Sequence, residues 1–465
     1  MVSNDVILAR VLEENRQLRE TVLFLNSKID ALQHEIACLK KNSRNSSKAP
    51  SSDIVKPKNH ERPRGKHKRT IGGQEGHPRH QRVSFGPGEI DRTIPYELSP
   101  AQARGLIPLD EWFVLQQVDL ADPLYVVTEH RARKYLNPQT GRVVIASLPA
   151  AVTAAGLVGP KLSALAAYQK GACHMSYTTM QRFWEEILGI PISRSQLVNV
   201  IQKASAAFAE PYAQLREALV HEAYVGVDES GQPDSGEKFW TWCFRASRFI
   251  VFHIDPSRGS QVLKAILTET FGGILGSDYF SAYRKYMVDC QVLVQFCWAH
   301  LIREIRFLAE HPARSLQHWG QKLLVWIRKL FDTWHRADQM TQAALVRSMD
   351  RIRRGFLKAV RRAPSRAVAQ TLADRFRGQQ ADHYFRFLTT PGIEPTNNQT
   401  EQAIRHVVID RHITQGTRGS RGQRWSERVW TMVATCRQQN RRVFQFFCNA
   451  INAHFRKETA PSLLY

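Results

Sequence analysis

The chain opens on a hydrophobic repeat of period seven. Leu8, Asn15, Val22, Ile29 and Ile36 occupy one heptad position, a, and Val11, Leu18, Leu25, Leu32 and Leu39 occupy d. This predicts a coiled-coil helix over residues 1–42. β-Branched residues at a with leucine at d favour a parallel dimer, and a single asparagine at a fixes the register while lowering stability. Between chains, the g-to-e′ pairs Glu14 with Arg19 and Glu35 with Lys40 are attractive. The alternative is one amphipathic helix lying on its own domain; five unbroken heptads favour the coiled coil.

The apolar period then vanishes. From Lys40 to Arg82 there are thirteen Lys and Arg against three acids, spaced by Ser, Pro, Gly and Asn. Residues 43–82 therefore read as a basic flexible linker. Its GKHKRTIGGQEGHPRH run, with Lys66, Lys68 and Arg69, reads as a DNA-tracking arm behind a dimerising helix rather than a localisation signal or solvated tail. Residues 83–147 alternate short apolar runs with turns, which suggests a small β-rich segment. Residues 148–222 become helical, and MSYTTMQRFWEEILGIPISRSQLVNVIQKA breaks at GIPIS with Ser193 or Ser195 placed to cap the second half. That fits a helix-turn-helix DNA-binding region and equally a generic helical hairpin.

Beyond residue 222 the pattern is α/β. YVGVDES is a short buried strand, KFWTWCFRAS and RFIVFHIDPSRG are paired strands, and SQVLKAILTETF is a helix. GGILGSDYFSAY supplies another strand, and QVLVQFCWAHLIREIRFLAE runs from strand into helix. Residues 310–390 are wholly helical in pattern and interrupt the α/β part, which spans 223–309 and resumes over 391–440 before a C-terminal tail at 441–465. The expected fold is thus a multidomain α/β protein with an all-helical insertion.

Composition narrows the partners. The hydrophobic fraction of 43% is ordinary, whereas a formal charge of +23 is not. Clustered charge of that size serves a polyanion such as nucleic acid, or an anionic membrane surface. The seven cysteines are scattered without a CxxC pair, which argues against a disulfide framework or a cysteine-built zinc site. No apolar region follows a basic start, and the run LPAAVTAAGLVG is too short to cross a bilayer of about 30 Å. A soluble, reducing, intracellular setting is expected, with no membrane partner.

Three carboxylates stand out by context. Asp228 ends the strand YVGVD, Asp278 ends ILGSD, and Glu401 opens a helix in PTNNQTEQAIR. Singly, strand-end acids are mostly turn residues or caps. Glu401 has such a bland role available: Asn398 caps the helix and Glu401, three residues on, reaches back to the cap amide. Phosphoryl transfer by two metal ions instead needs carboxylates converging on a Mg²⁺ pair roughly 3.5–4 Å apart.

These motifs resemble one family closely. VGVDES, GSDYFSAY, CWAHLIREI and NNQTEQAIRHVVIDR, in that order, together with the N-terminal heptads, SSKAPSSD and GGQEGH, are similar to the transposases of the insertion sequence 66 family (TnpC type). The resemblance implies a DDE enzyme with a ribonuclease H-like catalytic core, using Mg²⁺ or Mn²⁺, in bacterial cytoplasm at the nucleoid. Asp228, Asp278 and Glu401 match its metal-binding triad. Double-stranded DNA, as element ends and target, is the implied partner, with element-encoded accessory proteins beside it. The implied reaction is cleavage at the element's ends, after which the freed 3′ hydroxyl attacks target DNA without a covalent protein intermediate. Cys297 and His300 match a C-x-x-H element near the second acid; one Cys and one His make no zinc site, so their role is packing or DNA positioning. The family's zinc ribbon lacks its cysteines here, because YELSPAQARGL and KYLNPQTGR stand in their place, so zinc is not expected.

Between Arg405 and Arg442 lie nine arginines against two acids, with Trp425 and Trp430 among them. Arginine forks suit phosphates. Asn398, Arg405, Arg411, Arg418, Arg421 and Arg424 are accordingly DNA-binding candidates, and the tryptophans are assigned to the core. Two other functions fit the same residues: a catalytically inactive dimeric DNA-binding protein, or a metal-dependent nuclease on branched DNA. Strand-transfer products separate a transposase from both. For the N-terminal helix, Asn15→Val is expected to raise coiled-coil stability and loosen oligomer specificity. Sedimentation of residues 1–42 checks this, and a monomer at micromolar concentration in the parent sequence sinks the dimer.

Overall fold

The computed structural model describes residues 4–42, 44–46, 85–97, 99–102, 104, 110, 114–118 and 124–464. The chain divides into two units, residues 1–57 with 132–465 and residues 58–131. In the smaller unit the described residues hold a short 3-10 turn at Pro87–Glu89 and an amide clasp in which Phe85 N–H donates to Gln116 Oε1 at 2.6 Å. The β-rich segment expected over 83–147 is, among the described residues, only the hairpin β1 (Lys134–Leu136) and β2 (Val143–Ile145), exposed on both faces. The NPQTG turn between these strands is tied by Asn137, whose Oδ1 accepts the amides of Gln139 and Thr140, and by Gly141 at φ +66°.

The heptad stretch forms one helix, α1 (Asn4–Leu39), whose a and d side chains are exposed: Leu18 by 66%, Leu25 and Ile29 by 50%. Another face of its C-terminal half packs against the rest of the same unit. There Asp30 pairs with Arg366 at 3.1 Å, His34 Nδ1 lies 3.4 Å from His311 Nε2, and the Lys41 ammonium sits over the Phe307 ring. In heptad terms these are b and f positions, so the apolar seam stays uncovered.

Helices α2 (Ala150–Ala155), α3 (Pro160–Gly171), α4 (Tyr177–Glu186), α5 (Arg194–Ala207) and α6 (Ala209–Ala218) follow. Ala150–Gly171 is long and apolar enough to cross a membrane, but it is not one helix: Gly156 at φ +69° ends α2, and Pro160 starts α3. Ser193 caps α5 with Gln196 completing a capping box, as the GIPIS break suggested.

The central sheet contains β3 (Tyr224–Asp234), β4 (Glu237–Arg245) and β5 (Ile250–Asp255), an antiparallel meander. After α7 (Ser260–Leu267), β6 (Ile274–Ser277) joins β3 in parallel; after α8 (Ser281–Cys290), β7 (Leu293–Phe296) joins β6 in parallel. The spatial order is β5-β4-β3-β6-β7. The strand expected to stop at YVGVDES continues to Asp234, because a tight turn at Ser235 and Gly236, both at positive φ, returns it directly into β4.

Helices α9 (Trp298–Ala309), α10 (Arg314–Trp334), α11 (Gln342–Val360), α12 (Ala367–Asp374) and α13 (Asp382–Phe385) come next. Trp298 is fully buried among Phe331, Phe356, Tyr384 and Phe385, and Tyr384 in turn meets Phe296 of β7, which fastens this helical part to the sheet. The chain ends in α14 (Asn398–Thr414), α15 (Ser420–Gln438) and α16 (Val443–Arg456). The residues expected as a tail thus hold a helix that packs on α2, α3 and α5 and buries Phe446, Phe447, Ala450 and Ile451.

Edge strand β5 would leave alternate amides without partners. Along α15, Glu427, Thr431 and Thr435 meet this need: Glu427 Oε1 accepts Ile254 N–H at 2.8 Å, Thr431 Oγ1 accepts Phe252 N–H at 3.0 Å, and Thr435 Oγ1 accepts Ile250 N–H at 3.1 Å. Four residues of helix advance about 6 Å and two of strand about 6.8 Å, so the two repeats match over this length. Thr431→Val keeps the shape and removes the acceptor. It is expected to lower stability by about 1–3 kcal/mol, the price of a buried amide left unpaired. Denaturant unfolding measures this, and an unchanged midpoint would show that the ladder contributes nothing.

Candidate active site

Along β3, Gly226, Asp228 and Ser230 share one sheet face. The parallel β3–β6 pairing ends at Gly226 opposite Gly276, and Asp228 and Asp278 each lie two residues further on. Two acids therefore stand side by side where that ladder stops. Asp228 is within β3 rather than at its end, because β4 carries the strand onward, while Asp278 follows β6 immediately. Asp228 Oδ1 accepts Glu229 N–H at 3.0 Å, and Asp278 Oδ1 accepts Phe280 N–H at 2.9 Å.

The start of α14 is pinned to the same face. Asn397 Nδ2 donates to Val227 O at 2.8 Å, and a Cβ built on Gly226 would fall 2.4 Å from Thr400 Oγ1 and 3.0 Å from Asn397 Oδ1. Only glycine admits this approach. Asn397 is the helix-capping residue, not Asn398, and its side chain is spent on the strand rather than on a cap. Asn398 is exposed, at the first helical position. Glu401 therefore forms no capping box. Its Oε1 has no hydrogen-bond partner among the described residues, and its carboxylate lies 3.6 Å from His300 Nδ1 and 3.6 Å from the Arg303 guanidinium.

Electrostatics tie the acids together. Burial, and then the negative charges of Glu229, Asp278 and Glu401, hold the Asp228 carboxyl well above the usual carboxylate range. Glu229 is a fourth acid that the sequence reading passed over. Its side chain is 3% exposed, accepts from the Tyr283 hydroxyl and pairs with Arg258 at 2.7 Å, on the opposite face of β3. Burial raises its pKa as well. The adjacent Asp-Glu pair in VGVDES was the available signal, but strand alternation concealed that both acids are enclosed.

Cys297 and His300 lie next to Glu401. One possible ligand atom from each of the three falls within 4.8 Å of the others. Cys297 also has a packing role: its Sγ accepts Asn397 N–H at 3.1 Å, while Trp298 N–H donates to Pro395 O at 3.0 Å. Burial pushes the Cys297 thiol up to about 11. Oxygen donors from three elements, one of them a buried carboxylate oxygen that accepts no hydrogen bond among the described residues, fit a hard divalent cation better than a thiol that burial keeps protonated.

The other candidates divide. Arg405, Arg418 and Arg421 are exposed. Arg424 is half-exposed and pairs with buried Glu427 at 2.8 Å. Arg411 turns inward, donating to Ser230 Oγ at 2.8 Å and to Gly231 O, which fixes α14 on β3. Trp425 and Trp430 are buried, as expected. Lys66, Lys68 and Arg69 lie outside the described residues.

The four motifs converge on one site, and all lie inside a single family match. The pattern described as "Transposase IS66 family" matches residues 155–424. The chain belongs to this transposase family. Membership gives it a transposase role in general terms, with DNA as substrate class and divalent metals as the chemistry such enzymes generally use. A family of unknown function (DUF6444) matches residues 6–83, and no curated protein matches the chain. In this transposase, Gly226→Ala is expected to push α14 off β3, lowering stability by about 1–3 kcal/mol and abolishing DNA cleavage. Adding Thr400→Ala removes the atom nearest the clash and is expected to restore part of both. Equal stability and cleavage in the single variant would refute the close-approach argument.

Proposed function

We propose that the protein is a DDE-type DNA transposase of an insertion sequence, in which Asp228, Asp278 and Glu401 hold Mg²⁺ or Mn²⁺ at the end of the β3–β6 ladder. The observation that carries the reading is the mutual crowding of three acids from separate elements, with one carboxylate oxygen of Glu401 accepting no hydrogen bond among the described residues. Such crowding is unfavourable in a protein without its cation and has a function with one. When bound, the cations neutralise charge on the attacking and leaving oxygens of a phosphodiester.

The residues of this chain do the positioning. Asn397 and Gly226 set where Glu401 stands, and Phe280 N–H orients Asp278. His300 and Arg303 keep the Glu401 carboxylate near the strand acids. The mixed five-stranded sheet, with acids where two central parallel strands part, supports a ribonuclease H-like core, and the helical stretch between β7 and α14 is read as its insertion. Exposed Asn398, Arg405, Arg418 and Arg421 are assigned to element-end or target DNA, and the uncovered seam of α1 to a homodimer.

Glu401→Gln decides between ligand and structural acid, since the amide keeps the shape and loses the charge. In reactions with DNA carrying the element's ends and Mg²⁺, the variant is expected to bind DNA and to lose cleavage and strand transfer, as are Asp228→Asn and Asp278→Asn. Metal-free Asp228→Asn is also expected to melt higher than the parent near neutral pH. The folded state holds the Asp228 carboxyl up, so its ionisation opposes folding at any pH where the unfolded chain has already lost that proton. Parental cleavage by Glu401→Gln would remove Glu401 from the site, and nicks without strand transfer by the parent would identify a nuclease.

A further inference from the structure

Away from the acids, a cavity of about 330 Å³ opens between α5 and the start of α15. Gln202, Ser205 and Ala206 line one side, and Ser420, Arg421, Arg424 and Arg428 the other. The arginines recur at spacings of three and four, so all three lie on one helix face. Their charge is poorly compensated. Two carboxylates lie near this end of the helix and both are engaged: Glu427, fully buried, by Ile254 N–H, His253 and Arg424, and Asp234, buried, by Gly419 N–H at 2.7 Å and the Gln423 amide. Arg421 and Arg428 have no ion-pair partner among the described residues. Arg428 is half-buried, donates through Nη1 to Ser205 O at 2.9 Å, and leaves its buried Nε without an acceptor. Burial and then the charge of Arg424 lower the Arg428 pKa, and the charge of Glu427 offsets them only in part.

From this geometry we infer that the cavity is a phosphate-binding site that anchors one backbone phosphodiester of bound duplex DNA. Guanidinium forks and the Gln202 amide supply converging donors. The DNA strand is favoured over a free anion because the outward face of α5 continues the site: Ser195, Asn199 and Gln202 fall four and three residues apart and are wholly or partly exposed. That polar stripe is suited to contacts with the duplex, while Arg421 and Arg428 hold its backbone in register. The inference rests on DNA as the substrate and is independent of which residues hold metal.

Binding of labelled duplex DNA to the full-length protein, followed by anisotropy in EDTA between 50 and 200 mM salt, tests it. Removing one phosphate contact is expected to lower the slope of log affinity against log salt by about one. Because both arginines serve the same phosphate, Arg421→Gln is expected to produce that drop and Arg421→Gln with Arg428→Gln no further drop. Arg421 is exposed, so its single variant keeps the test sound if loss of Arg428 disturbs the fold. Arg347→Gln and Arg351→Gln, exposed on α11, serve as charge-matched controls. Additive drops, or drops equal to those of the controls, would reduce the cavity to general surface charge. An unchanged slope overturns the inference, as does inorganic phosphate raising the melting temperature while the DNA slope stays fixed, which marks a small-anion site. Failure of the metal triad leaves this experiment untouched, since no cation or cleavage enters it.

Discussion

The seating of α14 on β3 is the contact on which the site depends. Glu401 is more than 120 residues from either aspartate in sequence, and nothing local brings it to them. Gly226 removes the side chain that would hold helix and strand apart, Asn397 bonds the Val227 carbonyl, and Arg411 fastens the helix further along at Ser230 and Gly231. Asn397 also donates its amide to Cys297, so the same short segment ties β3, the start of α9 and α14 together. The C-x-x-H element thus has a physical reason to accompany the acids: its cysteine is an acceptor in the joint that places Glu401.

That joint holds acids in an otherwise basic protein. A chain carrying +23 draws DNA to its surface, while the crowded carboxylates would repel a phosphodiester unless cations stood between them. Surface and site consequently ask opposite things of the same ligand, a conflict that the divalent metals generally used by this family would relieve. Burial sharpens the conflict, because acids shielded from water feel one another more strongly.

Helix α15 links the two demands. Towards its C-terminal end Thr431 and Thr435 close the exposed edge of the sheet, while its first turns carry the arginines that face α5. Glu427 belongs to both ends, accepting from the edge strand and from Arg424. The helix that completes the core is therefore also the one that presents positive charge.

Much of this was legible in the chain itself. Apolar period marked the α1 helix, the meander of β3 to β5 and the helical stretch after β7, because those elements answer to local burial patterns. Glu401 in the first turn of its helix was placed for the same reason, and Asp278, expected to end its strand, follows β6 by one residue. What local pattern could not give was any consequence of packing. The cap of α14 is Asn397 rather than Asn398 because the strand claims its side chain, and Arg411 faces inward because Ser230 and Gly231 meet it. Glu229 is enclosed by Tyr283 and Arg258 from elements distant in sequence, and the supposed tail is a core helix because α3 and α5 offer it an apolar face. Sequence determined which residues could carry the chemistry, since residue type and period are local properties. Only the tertiary structure decided which of them share a site, since that depends on contacts between segments the chain order keeps apart.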